Sequence, residues 1–395
     1  MTVYLDHAAT SPLRAEARDA WLEASAVVGN ASSIHGAGQT ARRLLEDARE
    51  RLAAVLDCQP IEVVLTSGGT EAANLALKGL WWARAGGSGA PPAGAANAIV
   101  LPDGEHHATL DAVAWLREHE GARVVPVALD GEARIRPERF RDALGAGAAL
   151  ATALVANNEA GTVNDAAALA AASAVAGVPL HLDAVAAFGH VPVAFRTWRG
   201  EASGSAGLVA LSVSGHKIGA PVGTGALVVS REAGVTALLH GGGQQRSLRA
   251  GTQDVPGAAA LAVAAELAEA EREAEATRLR GLRDRLVARL RAELPDAILL
   301  GDPAVRLPGN VHLHLPGAPG ESLLYLLDRA GIAVSTGSAC QAGVPEPSHV
   351  VMAMGLDERA ARQVLRITLG RTTTDADVDA LLAALPAAYR QAARR

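Results

Sequence analysis

The chain has 395 residues, enough to bury a large core and to divide into about two or three domains. Acidic residues outnumber basic ones, 42 to 36, for a net charge of −6, and no Lys/Arg block forms a footprint for nucleic acid or anionic lipid, so a small-molecule partner is expected. Apolar residues make up 49%, but Gly, Pro and charges interrupt them everywhere, so no run reaches the roughly 20 residues of a membrane-spanning helix. The start, Met1-Thr-Val-Tyr-Leu-Asp6, lacks the basic region and apolar core of a signal peptide, and a cytoplasmic protein is expected. The two cysteines, Cys58 and Cys340, are far apart and match no zinc or disulfide framework. Each is a buried small hydrophobe or a reactive thiol; Cys58, closing an apolar helix, reads as the former.

In chain order, residues 15–56 read as two helices around a turn-rich stretch at 29–36, the second with Ala41, Leu44, Leu45, Ala48, Leu52 and Val55 at helical spacing. A strand-then-helix alternation follows, with candidate strands at 62–65, 98–101, 123–127, 151–156, 178–182, 208–213 and 226–229. That pattern signals a mainly parallel sheet covered on both faces. The Gly/Pro/Ala stretch at 86–94 reads as a surface loop. After Pro256 an Ala/Glu/Arg-rich segment runs to Leu294, either one long connecting helix or a helix pair broken near Gly281. Short strands are expected around 310–314 and 332–334, then a Gly/Ser loop, then helices to the end. The composition change near Ala258 places a second, smaller α+β domain there.

In an open parallel sheet the ligand crevice lies beyond the carboxyl ends of the strands. The first strand leads into Thr66-Ser-Gly-Gly-Thr-Glu71, where small residues and hydroxyls at a helix start suit a phosphate; Gly69 and Thr70 belong to this cup, or Thr70 is simply an N-cap. No Gly-Lys-Ser/Thr follows, so this is not a nucleotide P-loop. Other strand ends supply Glu105-His106-His107, Asn157-Asn-Glu159 and His181-Leu-Asp183. An Asp at a buried strand end needs a cation or strong donor, and a protonated pyridine nitrogen would serve. Ser214-Gly-His-Lys217 forms a tight polar turn between two apolar runs, so Lys217 is either an exposed hairpin lysine or a desolvated amine suited to a Schiff base. His106, His107, His181 and Asp183 can be drawn as a metal site, yet they lack the His-Glu-x-x-His spacing, and His312 and His314 read as structural, so no metal is expected.

Tyr4-Leu-Asp-His-Ala-Ala-Thr10, Gly29-Asn30 with Ser33-Ile-His35, Thr66 to Glu71, Asn157 to Glu159, His181 to Asp183, Ser214 to Lys217, Arg249-Ala-Gly-Thr252, Thr336-Gly-Ser-Ala-Cys340 and Arg366-Ile-Thr-Leu-Gly-Arg371 follow one another in this order. The ordered set resembles the cysteine desulfurases, pyridoxal-phosphate enzymes of the class V aminotransferase group with the fold type I architecture. The resemblance runs from about Val3 to the C-terminal helix. It implies an α/β fold in which residues 15–257 form a large domain with a mainly parallel seven-stranded sheet, while 1–14 and 258–395 form the small domain carrying the catalytic-cysteine loop.

By this resemblance Lys217 holds pyridoxal phosphate and moves protons at the substrate Cα, Asp183 pairs with the pyridine nitrogen, and His106 stacks on the ring. Thr70, Ser214 and His216 hold the phosphate, and Thr252 reaches the phosphate of the partner subunit in a homodimer. Asn158 and Arg366 hold the substrate carboxylate. Cys340 takes the sulfur of L-cysteine as a persulfide, releasing alanine, and passes it to an acceptor protein for iron–sulfur assembly or thiolation. His107 matches no family role. Selenocysteine lyase or another β-elimination enzyme is the alternative, as is a binding homologue with a decayed cofactor site. One departure stands out: the family's glutamine three residues after the Asp is Ala186 here, so the aldimine titration is expected to shift. The chain also stops at Arg395, soon after its last expected helix, which puts in question the tail that docks an iron–sulfur scaffold in many members.

Overall fold

The computed structural model describes residues 2–85, 96–145, 147–337 and 346–393; Cys340 and the stretch 86–94 lie outside the described residues. In chain order β1 (Val3–Tyr4) precedes α1 (Ala15–Ser25), α2 (Gly36–Val55), β2 (Val63–Thr66), α3 (Gly69–Ala85), β3 (Ala98–Pro102), α4 (His107–Glu120), β4 (Arg123–Val127), α5 (Pro137–Ala143), β5 (Ala148–Leu154), α6 (Ala166–Ala176) and β6 (Pro179–Asp183). Then come α7 (Phe195–Arg199), β7 (Gly207–Ser214), β8 (Gly225–Val229) and the long α8 (Val255–Glu293). The last part holds β9 (Ile298–Leu300), β10 (Asn310–His314), α9 (Gly320–Arg329), β11 (Ile332–Ala333), α10 (His349–Ala353), α11 (Glu358–Ala361), β12 (Val364–Thr368) and α12 (Asp375–Ala392).

The expected strands between 62 and 229 pair into a seven-stranded sheet of order β2-β8-β7-β6-β5-β3-β4. All neighbours run parallel except β8, which is antiparallel to both β2 and β7. Successive strand residues feed opposite cores, as the two-residue period requires. Ile99 and Leu227 face α3 and α4, while Val100 and Val228 face the core shared by α2, α6 and the first half of α8. Both faces being covered, the strands are nearly unbroken apolar runs.

The segment after Pro256 is one helix, not a broken pair. Gly281 is exposed, with nothing near the position of a Cβ, so it costs the helix only about 1 kcal/mol relative to alanine. Burial of Leu279, Leu282, Leu286 and Leu290 at about 1.5–3 kcal/mol each outweighs that. Ala258 to Ala268 pack on the large-sheet core, and Leu279 to Leu290 pack on a second core built around β10, β12, α9 and α12. The expectation of only helices after the Gly/Ser loop is corrected by β12, which joins a three-stranded sheet of order β12-β10-β9. Arg366 interrupts an otherwise apolar, partly β-branched run there and hides it as a strand.

His181 and His312 are fully buried, and desolvation lowers each pKa to about 3. An ordinary histidine titrates near 6.5, so the unfolded chain binds protons that these rings refuse. Their contribution to stability is present above about pH 6.5 and is lost, by about 1.4 kcal/mol per pH unit and ring, as pH falls toward 3. Urea unfolding at pH 7 and pH 5 should show His312→Leu with a shallower loss of stability than the wild type; superimposable acid limbs would remove His312 as a cause.

Candidate active site

The carboxyl ends of β6 and β7 open into a cavity of about 340 Å³. Asp183 closes β6 at 4% exposure, and its Oδ1 accepts the Val185 backbone N–H at 2.8 Å. Burial raises its pKa to about 6, against the pull of that hydrogen bond and of Lys217. Behind it Glu105 is completely buried, with Oε1 accepting the Leu154 N–H at 2.8 Å and Oε2 without a partner. Desolvation first, and the Asp183 charge second, push the Glu105 pKa well above the carboxylate range. Burial thus favours the protonated form of Glu105, and Asp183 is the buried carboxylate that calls for a cation.

Lys217 ends a short turn, Gly215–Lys217, at the start of the connection between antiparallel β7 and β8. It lies in a hairpin connection, half-buried rather than exposed, and lines the cavity. Its Nζ donates to the carbonyls of Ala8 and Ala9 at 2.5 and 3.0 Å. The N-terminal segment is fastened over this turn, because Ser11 donates from Oγ to the Lys217 carbonyl at 2.8 Å and from N to that of His216 at 2.9 Å. His216, desolvated and next to Lys217, has its pKa lowered to about 4.

At the start of α3, Gly69 has no room for a side chain, since a Cβ there would lie 2.7 Å from Val185 Cγ2. Gly225 likewise lets β8 approach the Gly68 backbone, where a Cβ would come within 2.6 Å. Thr70 stands inside the helix, which begins at Gly69, so it is not the N-cap. His106 N-caps α4, its Nδ1 accepting the Ala108 N–H at 3.1 Å, so the neutral ring carries its proton on Nε2. Burial, then Lys217, lowers the His106 pKa to about 4 and keeps the ring neutral.

Across the cavity Arg366 is 4% exposed. Its Nη2 donates to Asp6 Oδ1 at 3.0 Å and its Nη1 to the Asn158 carbonyl at 3.1 Å, while the buried Nε has no partner. The guanidinium is thus aimed by two bonds and still holds a donor for an anion. Gly69, Thr70, His106, Asn158, Asp183, Ser214, His216, Lys217 and Arg366 all line this one cavity. Thr252 does not; it lies exposed on the surface. Cys340 falls outside the described residues, although Ser335, shortly before it, is in the cavity wall. Cys58 is buried, and desolvation pushes its thiol up to about 12, as an inert thiol requires.

His107 packs edge-on to His349 at 4.9 Å, outside the cavity wall. His312 and His314 have no partner for any ring nitrogen, and no cluster of metal-binding side chains occurs among the described residues. Ala186 gives the cavity wall only a methyl group. The structure adds Asp6, His7 and His190 to the wall. Asp6 and His7 stand inside the Tyr4 to Thr10 motif but had no assigned role; nothing in the pattern around His190 marked it. No helix among the described residues is long and apolar enough to cross a membrane.

Comparison with known proteins follows the same lines. The family model described as Aminotransferase class-V matches residues 3–381. An "IscS-like cysteine desulfurase" of Mycobacterium tuberculosis is 47% identical over 99% of this chain and 97% of its own length. A "Cysteine desulfurase IscS" of Methanosarcina thermophila is 38% identical over 97% of this chain and 91% of its own. Among solved structures, a "NIFS-LIKE PROTEIN" superimposes with a TM-score of 0.88 at 29% identity, covering 98% of this chain and 99% of that one. "SspA in complex with cysteine" gives 0.77 at 25% identity, covering 93% and 99%.

Proposed function

Because the chain belongs to the class-V aminotransferase family of pyridoxal-phosphate enzymes and is a cysteine desulfurase, we propose that it takes sulfur from L-cysteine onto Cys340 with the residues of this cavity. The cavity fits the cofactor. A buried carboxylate awaits a cation at Asp183, an amine stands at Lys217, and at the start of α3 the Gly69 position tolerates no Cβ. Gly69, Thr70, Ser214 and His216 would hold the phosphate, Asp183 the ring nitrogen, and His106 the ring face. Thr252, exposed and off the cavity, would serve the phosphate of the partner subunit in a homodimer.

When bound, pyridoxal phosphate supplies an electron sink for the pair left as the substrate Cα–H bond breaks. The remaining work falls to the protein. Arg366, aimed by Asp6, binds and orients the L-cysteine carboxylate, with Asn158 beside it. Lys217 takes the Cα proton and returns it, and the backbone carbonyls of Ala8 and Ala9 fix where its amine rests between transfers. His106, neutral with its proton on Nε2, can donate a hydrogen bond from that nitrogen within the cavity. Cys340 must act as thiolate. In sum the C–S bond of cysteine breaks, an S–S bond forms on Cys340, and the carbon takes a proton to leave as alanine. An acceptor protein then receives the sulfur, for iron–sulfur assembly or thiolation, in the cytoplasm.

The observation that carries this reading is the convergence of Lys217, Asp183 and Arg366 on one cavity from distant parts of the chain. Incubating holoenzyme with L-cysteine should yield alanine and a Cys340 peptide heavier by one sulfur, and Cys340→Ala should abolish sulfur transfer. Free sulfide or selenide formed at full rate by Cys340→Ala would instead identify a lyase.

A further inference from the structure

Glu159 is a buried acid that the chemistry above does not use. It is 2% exposed and forms no salt bridge among the described residues. A carboxylate in such a place is unfavourable unless something specific is gained. Its backbone is held on both sides: its N–H donates to Asn157 Oδ1 at 3.0 Å and its carbonyl accepts from Asn310 Nδ2 at 3.0 Å. The side chain is therefore fixed in direction, immediately after Asn158 in the cavity wall.

Both ends of the stretch that contains Cys340 meet this side chain. Before it, Gly337 (φ +91°) lies so close that a Cβ would be 2.9 Å from Glu159 Oε2. After it, the fully buried Ser348 donates from Oγ to the same Oε2 at 2.5 Å. Ser348 also N-caps α10 by accepting the Val351 N–H at 3.2 Å. The next residue, His349, donates from Nε2 to the Glu105 carbonyl at 2.9 Å, beside His106. The chain thus leaves from and returns to one carboxylate.

Resting on the reading of Cys340 as sulfur carrier, we infer that Glu159 is a positioning residue for sulfur transfer, hydrogen-bonded to Ser348 on one side of the Cys340 stretch and packed against Gly337 on the other. The gain that offsets its burial is geometry. Misplacement by about 1 Å can slow a reaction on the order of 100-fold, and the bond to Ser348 with the close packing of Gly337 fixes the chain on either side of Cys340.

The experiment uses holoenzyme and single-turnover quenching, reading sulfur on the Cys340 peptide by mass spectrometry and L-cysteine binding by the change in cofactor absorbance. Glu159→Ala and Ser348→Ala should each slow sulfur arrival about tenfold or more, with half-saturation of the absorbance change within about twofold. The double variant should be no slower than Glu159→Ala, because both remove one contact. Glu159→Gln, whose amide oxygen still accepts from Ser348, should stay within about threefold of wild type. Sulfur arrival unaffected in Glu159→Ala, or lost in step with the absorbance change, overturns the inference, since the residue would then be idle or merely structural. Wild-type enzyme that places no sulfur on Cys340 would sink the underlying reading instead, and this inference with it.

Discussion

Lys217→Ala should lower alanine formation from L-cysteine by about 1,000-fold or more, the upper range for losing a positioned general base. It should also release the cofactor to dialysis, whereas borohydride should fix it to the Lys217 peptide of the wild type. The fold should survive. The bonds lost include those from Nζ to the Ala8 and Ala9 carbonyls, while the turn keeps its backbone fastening through Ser11. A variant that unfolds at the wild-type temperature and binds added cofactor reversibly, yet makes no alanine, is the expected result. Turnover within tenfold of wild type would take Lys217 out of the chemistry.

The parts of this site that were legible in the sequence share a cause. Strands buried on both faces read as apolar runs, so the polar residue that follows each run stands out, and in a parallel sheet those positions converge. Asp183, His106 and the Ser214 to Lys217 turn were visible in that way. What escaped depends on pairings across long stretches of chain. Asp6 holds Arg366 from the opposite end of the sequence, and the strand that carries Arg366 is masked by the arginine itself. Ser348 meets Glu159 across 189 residues of chain; Glu159 stands in the Asn157 to Glu159 motif, but nothing local to Ser348 announces the pairing. The continuity of α8 through Gly281 follows from leucines buried on the second core, which propensity alone does not weigh.

Asp183 shows that the site is built at the expense of the protein without cofactor. Its pKa is raised, by burial first, from an ordinary value near 3.8 to about 6. Between those values the folded state keeps a proton that the unfolded chain has lost, so stability falls as pH rises through the window. Above about pH 6 the full penalty stands, on the order of 2–3 kcal/mol. Asp183→Asn keeps the acceptor for the Val185 N–H and removes the charge. Cofactor-free Asp183→Asn should therefore melt above the cofactor-free wild type at pH 8, with the gap closing toward pH 4. With cofactor the order should reverse, because only the carboxylate can pair with a protonated ring nitrogen, and turnover should drop about 100-fold or more. If the variant turned over within threefold of wild type, or melted lower than wild type without cofactor at pH 8, the charge would have neither the function nor the cost assigned to it. The exchange is the expected one for a binding site: a group placed for its partner destabilises the fold until that partner arrives.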